Sequence, residues 1–208
     1  MSIVPRWVRA RAGRLLDRLD PSVATALRAL RGQSRHYTGN LFDRFVGLEP
    51  VFERCPGATV LGIGSCEGLI AYECARHGAR LVHGFEIDPA LVDFARRLFG
   101  NVPVESHFAR HDFSSGFEDF ERRFAAVLRP RYDLVLYLGV HHHLKKVMSA
   151  EALDTLVRGL LARAEAIFAV RTDLLPELEA TIREAGFEGI SETASDGKVG
   201  RLAIYRRR

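Results

Sequence analysis

The sequence predicts an α/β fold: a doubly wound, mostly parallel sheet with helices on both faces and an N-terminal helical extension. Three observations carry this expectation. The stretch from Ala58 to Pro89 reads as a strand, a glycine loop, a helix and a second strand. The same alternation of short apolar runs with amphipathic segments then continues almost to the C-terminus. Finally, 208 residues at 47% hydrophobic and 27% charged suffice for one such domain with a sizeable core and a short extension, but not for two full domains. The expected division is residues 1–55 for the extension and 56–208 for the sheet domain.

The extension is basic. Ile3, Trp7, Val8, Leu15, Leu16 and Leu19 lie among Arg6, Arg9, Arg11, Arg14 and Arg18, the pattern of a basic amphipathic helix. Residues 1–35 hold eight Arg against Asp17 and Asp20, so the net charge of +4 belongs to this leader and the remainder is slightly acidic. Such a helix packs its apolar stripe on the parent domain, or meets RNA phosphates or an anionic membrane surface; its charge does not separate the three. Asp20 and Pro21 start a second helix that carries Val23, Leu27 and Leu30 and stops at Gly32. A polar stretch with Arg35, His36 and Tyr37 follows, and Leu41, Phe42, Phe45, Val46, Leu48, Val51 and Phe52 predict further helix. No apolar run approaches the roughly 20 residues that span a bilayer, and the start lacks the apolar segment of a secretory signal. The expected location is the cytoplasm, with peripheral membrane contact through the leader left open. Cys55, Cys66 and Cys74 are odd in number and without metal-ligand spacing, which argues for free thiols and against both a disulfide framework and a metal site.

Thr59, Val60, Leu61 and Ile63 suit a strand buried on both faces, and Gly62, Gly64 and Gly68 interrupt it. Leu69, Ile70, Tyr72, Cys74 and Ala75 continue at helical spacing to Gly78, and Leu81, Val82 and Phe85 begin a second strand that ends at Glu86. Glycine at the turn lets backbone amides approach a ligand, and a carboxylate at the end of the next strand accepts hydrogen bonds from ribose hydroxyls. A nucleoside-containing ligand fits both features. The spacing is GxGxxxG rather than the GxGxxG of the dinucleotide fingerprint, which disfavours a nicotinamide-dependent reductase.

With Glu86-Ile87-Asp88-Pro89 closing it, this stretch resembles the class I S-adenosylmethionine-dependent methyltransferases. Their first motif commonly reads VLDIGCGxG, and their second ends in an acidic residue before a DP-like helix start. Here the first reads VLGIGSCEG: Gly64, Gly68 and Glu86 stand where the family has them, while Gly62 replaces its acid and Cys66 its middle glycine. The family's acid helps to order the loop and the methionine amine of the cofactor, and Glu67 is the loop carboxylate that stands nearest to take its place. The resemblance implies S-adenosyl-L-methionine as cofactor and a seven-stranded sheet whose last strand inserts antiparallel beside its neighbour. It also implies cofactor contacts from Gly62, Gly64, Ser65, Cys66, Gly68, Glu86 and Ile87.

Pro89 starts a helix through Phe99, with Leu91, Val92, Phe94, Ala95 and Leu98 apolar and Gly100 as its stop. Val102 to Phe108 is the third strand expected. After it, Asp112 and Phe113 stand where the family frames the adenine; Asp112 reads equally as a cap for the helix expected over 117–128. Tyr132 to Leu138 is a fourth, nearly continuous apolar strand, with Leu138 implied at the cofactor, and it runs into Gly139-Val140-His141-His142-His143-Leu144. This run resembles the family's fourth motif in small-molecule methyltransferases, where a His pair aligns with His142 and His143. Ligands in open α/β sheets sit beyond the carboxyl ends of the strands at the switch point, so the histidine loop and the glycine loop should share one crevice. Helices over 150–164 and 175–185, a strand over 166–170 and two β segments over 190–193 and 201–205, joined by a turn at Asp196-Gly197, complete the chain, with Arg206, Arg207 and Arg208 as a solvated tail.

The function expected is methyl transfer from S-adenosyl-L-methionine to a small-molecule, lipid or sugar acceptor by direct displacement. An imidazole accepts a proton near neutral pH, which makes His142, His141 or His36 the candidate base for a hydroxyl acceptor, with capping of the next helix as the structural alternative for the run. Tyr37, His141 and His143 are the residues expected to line the acceptor pocket, because the family folds the segment before its first motif over the cofactor. The absence of an Asn-Pro-Pro-Tyr-like segment after the fourth strand argues against the amino-methylating nucleic-acid and protein enzymes that carry it. Two alternatives stay open: an RNA methyltransferase that uses the Arg-rich leader on phosphates, and a non-catalytic module that docks a partner or a membrane.

Overall fold

The computed structural model describes residues 44–194 and 200–208. A short helix α1 (Glu49–Phe52) precedes strand β1 (Thr59–Ile63), helix α2 (Leu69–Arg76), β2 (Leu81–Glu86), α3 (Pro89–Phe99) and β3 (Glu105–Arg110). A single 3-10 turn (Phe113–Ser115) leads to α4 (Phe117–Phe124), β4 (Tyr132–Leu138), α5 (His141–Leu144) and α6 (Ala150–Arg163). The chain closes with β5 (Ala164–Arg171), α7 (Leu175–Glu184), β6 (Phe187–Thr193) and β7 (Leu202–Arg207).

The seven strands form one sheet in the order β3-β2-β1-β4-β5-β7-β6. β1 pairs in parallel with both β2 and β4, so the strand order reverses between β1 and β4. β7 alone breaks the parallel run, pairing antiparallel with β5 and with β6. The seven-stranded, mostly parallel sheet expected from the sequence is therefore present. Side chains of period two sort to its two faces: Val60, Val82, Leu134 and Leu136 pack with α1, α2 and α3 on one side. Leu61, Ile63, Phe85, Val135 and Tyr137 pack with α4, α6 and α7 on the other.

Several boundaries differ from the sequence reading: α4 ends at Phe124 rather than residue 128, β6 starts at Phe187 rather than residue 190, and among the described residues α1 covers only Glu49–Phe52. β3 starts at Glu105, not Val102, because Val102 and Val104 fill the first core layer from the turn before the strand. β5 begins at Ala164, directly where α6 ends, leaving no connecting loop. The terminal arginines are not a solvated tail: Arg206 pairs with Ile167 and Glu188 in the sheet. Arg207 donates through Nη2 to the carbonyl oxygens of Leu161 at 2.9 Å and Ala164 at 2.7 Å, with its guanidinium 4.5 Å above the ring of Phe187. The basic leader, including His36 and Tyr37, and the Asp196-Gly197 turn lie outside the described residues. Among the described residues no helix is long and apolar enough to cross a membrane.

Candidate active site at the carboxyl edge of the sheet

The reversal of strand order between β1 and β4 leaves a crevice beyond their carboxyl ends, and the two loops singled out in the sequence meet there. The chain leaves β1 through Gly64 at φ +65°, Cys66 at φ +53° and Gly68 at φ +79°, left-handed conformations that bend the loop tightly beside β2. Cys66 adopts the left-handed backbone that glycine would take at the same place. The loop is pinned to the neighbouring strand: Ser65 N donates to the carbonyl oxygen of Phe85 at 3.0 Å, and Gly68 N to that of Ser65 at 3.0 Å.

Two glycines are required by contact as well as by conformation. A Cβ on Gly64 would lie 2.2 Å from Cγ2 of Val140, so the loop after β4 closes directly onto the glycine loop. A Cβ on Gly68 would lie 3.0 Å from Cβ of Ala95 on α3. Gly62 is different: a Cβ there meets only Ser65 Cβ at 3.5 Å and the carbonyl oxygen of His83 at 3.7 Å, which is ordinary contact distance.

Glu86 ends β2 and is the centre of the site. It is only 8% exposed. Its Oε2 accepts from the amide of Cys66 at 2.9 Å, and its Oε1 accepts from the amides of Ile87 at 2.8 Å and Asp88 at 3.1 Å. A carboxylate offers about four lone-pair directions, so these amides orient the group and leave capacity for a ligand hydroxyl. The carbonyl oxygen of Glu86 also accepts from His111 N at 2.9 Å, tying β2 to the end of β3. Ile87, next in sequence, is a large apolar side chain left 52% exposed beside this carboxylate.

At the end of β3, Asp112 caps the 3-10 turn: its Oδ1 accepts from Ser114 N at 2.9 Å, and the hydrogen bonds from Ser114 hold its carboxyl below the usual range. The helix α4 itself begins after Gly116 and has no side-chain cap. Phe113 turns inward, its ring 5.0 Å from that of Phe120 and 4.7 Å from His111, and joins the second core layer.

The histidine run forms α5 rather than an open loop, and its three rings divide. His141 is buried; its Nδ1 lies 3.2 Å from the hydroxyl of Tyr137, and burial lowers its pKa. It points into the core, away from the acceptor side where the sequence reading put it. His142 is half-buried and its ring meets that of His143, centroids 3.9 Å apart and planes tilted by 43°. Burial, then the neighbouring His143, lowers the pKa of His142, which keeps it neutral and able to accept a proton. His143 is exposed.

Sequence reasoning missed two arginines. Glu67, 3% exposed, has both carboxylate oxygens 3.1 Å from Nη1 of Arg44. Arg171, at the end of β5 and 4% exposed, donates through Nη2 to the carbonyl oxygens of Arg44 at 3.0 Å and Val46 at 3.4 Å. Burial, reinforced by Arg44, brings the pKa of Arg171 down to about 10, so it stays charged at neutral pH. A charged residue closing an apolar strand was the available signal for Arg171. Arg44, in a largely apolar stretch with no motif around it, carried none. Among the described residues no group of three or more His, Cys, Asp or Glu is placed to hold a metal ion.

No family model matches the chain. It is similar to the ribosomal protein L11 methyltransferase of Thiobacillus denitrificans, 34% identical over 107 residues that make up 51% of this chain. The match spans about a third of that relative's length, 33%. Among solved structures it is similar to a TehB-like S-adenosylmethionine-dependent methyltransferase from Corynebacterium glutamicum, with a TM-score of 0.60 at 14% identity, covering 91% of this chain and 100% of that one. It is also similar to the magnesium protoporphyrin IX methyltransferase of Synechocystis with bound S-adenosylmethionine, TM-score 0.57 at 20% identity, covering 91% and 85%. The chain has the fold of the class I S-adenosylmethionine-dependent methyltransferases, the family that its glycine loop and histidine run resemble.

Proposed function

We propose that the protein transfers a methyl group from S-adenosyl-L-methionine to a small-molecule, lipid or sugar acceptor. The observation that carries this reading is Glu86: a buried carboxylate at the end of β2, already oriented by the Cys66 amide of the glycine loop, at the point where strand order reverses. The fit is supported by the left-handed turns at Gly64, Cys66 and Gly68, which bring the amide of Cys66 onto Glu86.

Bound there, the cofactor supplies an electrophilic sulfonium methyl group. Glu86 accepts hydrogen bonds from the ribose hydroxyls, Ile87 covers the base from the exposed side, and the loop amides face the polar end of the ligand. Gly62, Ser65 and Leu138 contribute backbone and flank, and Asp112, held ionised by Ser114, accepts from the adenine amine. The protein's share of catalysis is largely alignment in a water-poor crevice, an effect worth roughly 7 to 11 kcal/mol in well-oriented systems. For a hydroxyl acceptor, His142 takes the proton; for an unprotonated amine, alignment suffices.

A protein acceptor is the second reading, favoured by the sequence relative named for ribosomal protein L11. The test is to incubate the protein with methyl-labelled cofactor and a cell extract, then separate small molecules, lipids, RNA and protein. Label in the small-molecule or lipid fraction supports the proposal. Label confined to protein or to RNA replaces it with that acceptor, and no transfer to any fraction favours a non-catalytic module.

A further inference from the structure

Gly62 leaves the first motif without the acidic side chain that the resemblance places there, yet the loop carries a buried negative charge from elsewhere. A Cβ at position 62 would meet Ser65, inside the loop, at ordinary contact distance. The charge instead comes from Glu67, whose two oxygens lie 3.1 Å from Nη1 of Arg44. The same guanidinium reaches Cys66, with Nη2 3.9 Å from its Sγ, and Cys66 is the residue whose amide Glu86 holds. Arg44 is itself anchored, because buried Arg171 at the end of β5 donates to its carbonyl oxygen and to that of Val46. A continuous chain of contacts thus runs from β5 through the segment preceding the sheet to the glycine loop.

We infer that the Arg44–Glu67 ion pair positions the glycine loop for the cofactor, in place of the carboxylate missing at Gly62. This rests on the methyltransferase reading. Glu86 takes the ribose at β2, so a ligand extending from it toward the histidine run at β4 lays its methionine end across the loop that the pair shapes. Arg44 and Glu67 are positioning residues: they act through the backbone between Gly64 and Gly68. Removing Arg44 takes away a guanidinium that meets both oxygens of Glu67 and the sulfur of Cys66, and so loosens the loop between them.

The test compares dissociation constants, by titration calorimetry, for S-adenosylmethionine and for methylthioadenosine, which lacks the methionine end. The proteins are the wild type, Arg44→Met, Glu67→Gln and the double variant Arg44→Met/Gly62→Asp, each shown to be folded by its circular dichroism and melting curve. We expect S-adenosylmethionine to bind about tenfold or more weakly in each single variant, methylthioadenosine to change by less than about threefold, and Gly62→Asp to recover part of the loss. If Arg44→Met does not fold, Arg44→Lys, which keeps the charge and loses the fork, reads the same contrast. Unchanged S-adenosylmethionine affinity in folded variants overturns the inference, as do equal losses for both ligands, which would mark a merely structural pair. Wild-type protein that binds neither ligand overturns the methyltransferase reading, and the inference with it.

Discussion

Gly62 and Gly64 stand two residues apart at the end of β1 and carry opposite demands. Gly64 has a left-handed backbone and Val140 where a Cβ would lie, so Gly64→Ala should cost about 1–3 kcal/mol of stability and abolish cofactor binding. Gly62→Ala, with ordinary contacts and no left-handed backbone, should change stability by less than about 1 kcal/mol. Denaturant titration of the two variants checks the contrast. The sequence made Glu86 legible because a carboxylate ending an apolar strand has few structural uses. It did not make Asp112, Phe113 or His141 legible in their detail, since whether a side chain turns to solvent or core depends on partners far away in sequence. Phe113 packs on Phe120 and His111, and His141 reaches Tyr137. Arg44 and Arg171 were invisible as a pair because 127 residues separate them.

Among the elements, β7 shows most clearly how tertiary contacts override composition. Three consecutive arginines read as a tail, yet antiparallel pairing with both β5 and β6 draws Arg206 and Arg207 into the sheet, and Arg206 also forms an ion pair with Glu188. Arg207 donates to the carbonyl oxygens of Leu161 and Ala164 at the abrupt passage from α6 to β5, where Leu161 also accepts from the amide of Ala164. Arg207→Ala should therefore destabilise the protein by about 1–3 kcal/mol, read as a lower melting temperature, whereas Arg208→Ala should change it by less than about 0.5 kcal/mol. The strands with continuous apolar runs, β1, β2 and β4, were legible because both their faces are buried. β3 was not placed correctly: it is an edge strand with exposed residues at both ends, so its pattern is weaker than that of the valines just before it.

Across the described molecule, the second core layer holds several histidines whose protonation the fold opposes, His141 beside Tyr137 among them. The Nδ1 of His83 lies 2.7 Å from the hydroxyl of Tyr132, which also accepts from Arg129 N; burial, with His107 and Arg129, pushes its pKa down to about 4. Burial also lowers the pKa of His107 and His111. The unfolded chain therefore binds more protons than the native one between about pH 6.5 and 4, so stability is full above that window and falls as the pH drops through it. Thermal melts from pH 7 to pH 4 should show this decline. His111 lies among Phe113, Phe120 and Phe124 with neither ring nitrogen hydrogen-bonded among the described residues, so His111→Phe should stabilise by about 1 kcal/mol and flatten the acid decline. At this scale the topology was legible, because alternating apolar runs and glycine stops fix strand count and direction, while the charge balance within each layer was not. The central claim is that Glu86 and the glycine loop form a cofactor site, and calorimetric titration of wild type and Glu86→Ala with S-adenosylmethionine, its demethylated product and NAD tests it most directly. Saturable binding of the first two, no binding of NAD, and a loss of about a hundredfold in Glu86→Ala is the result expected. Equal affinity in a folded Glu86→Ala variant, or a preference for NAD, would contradict it.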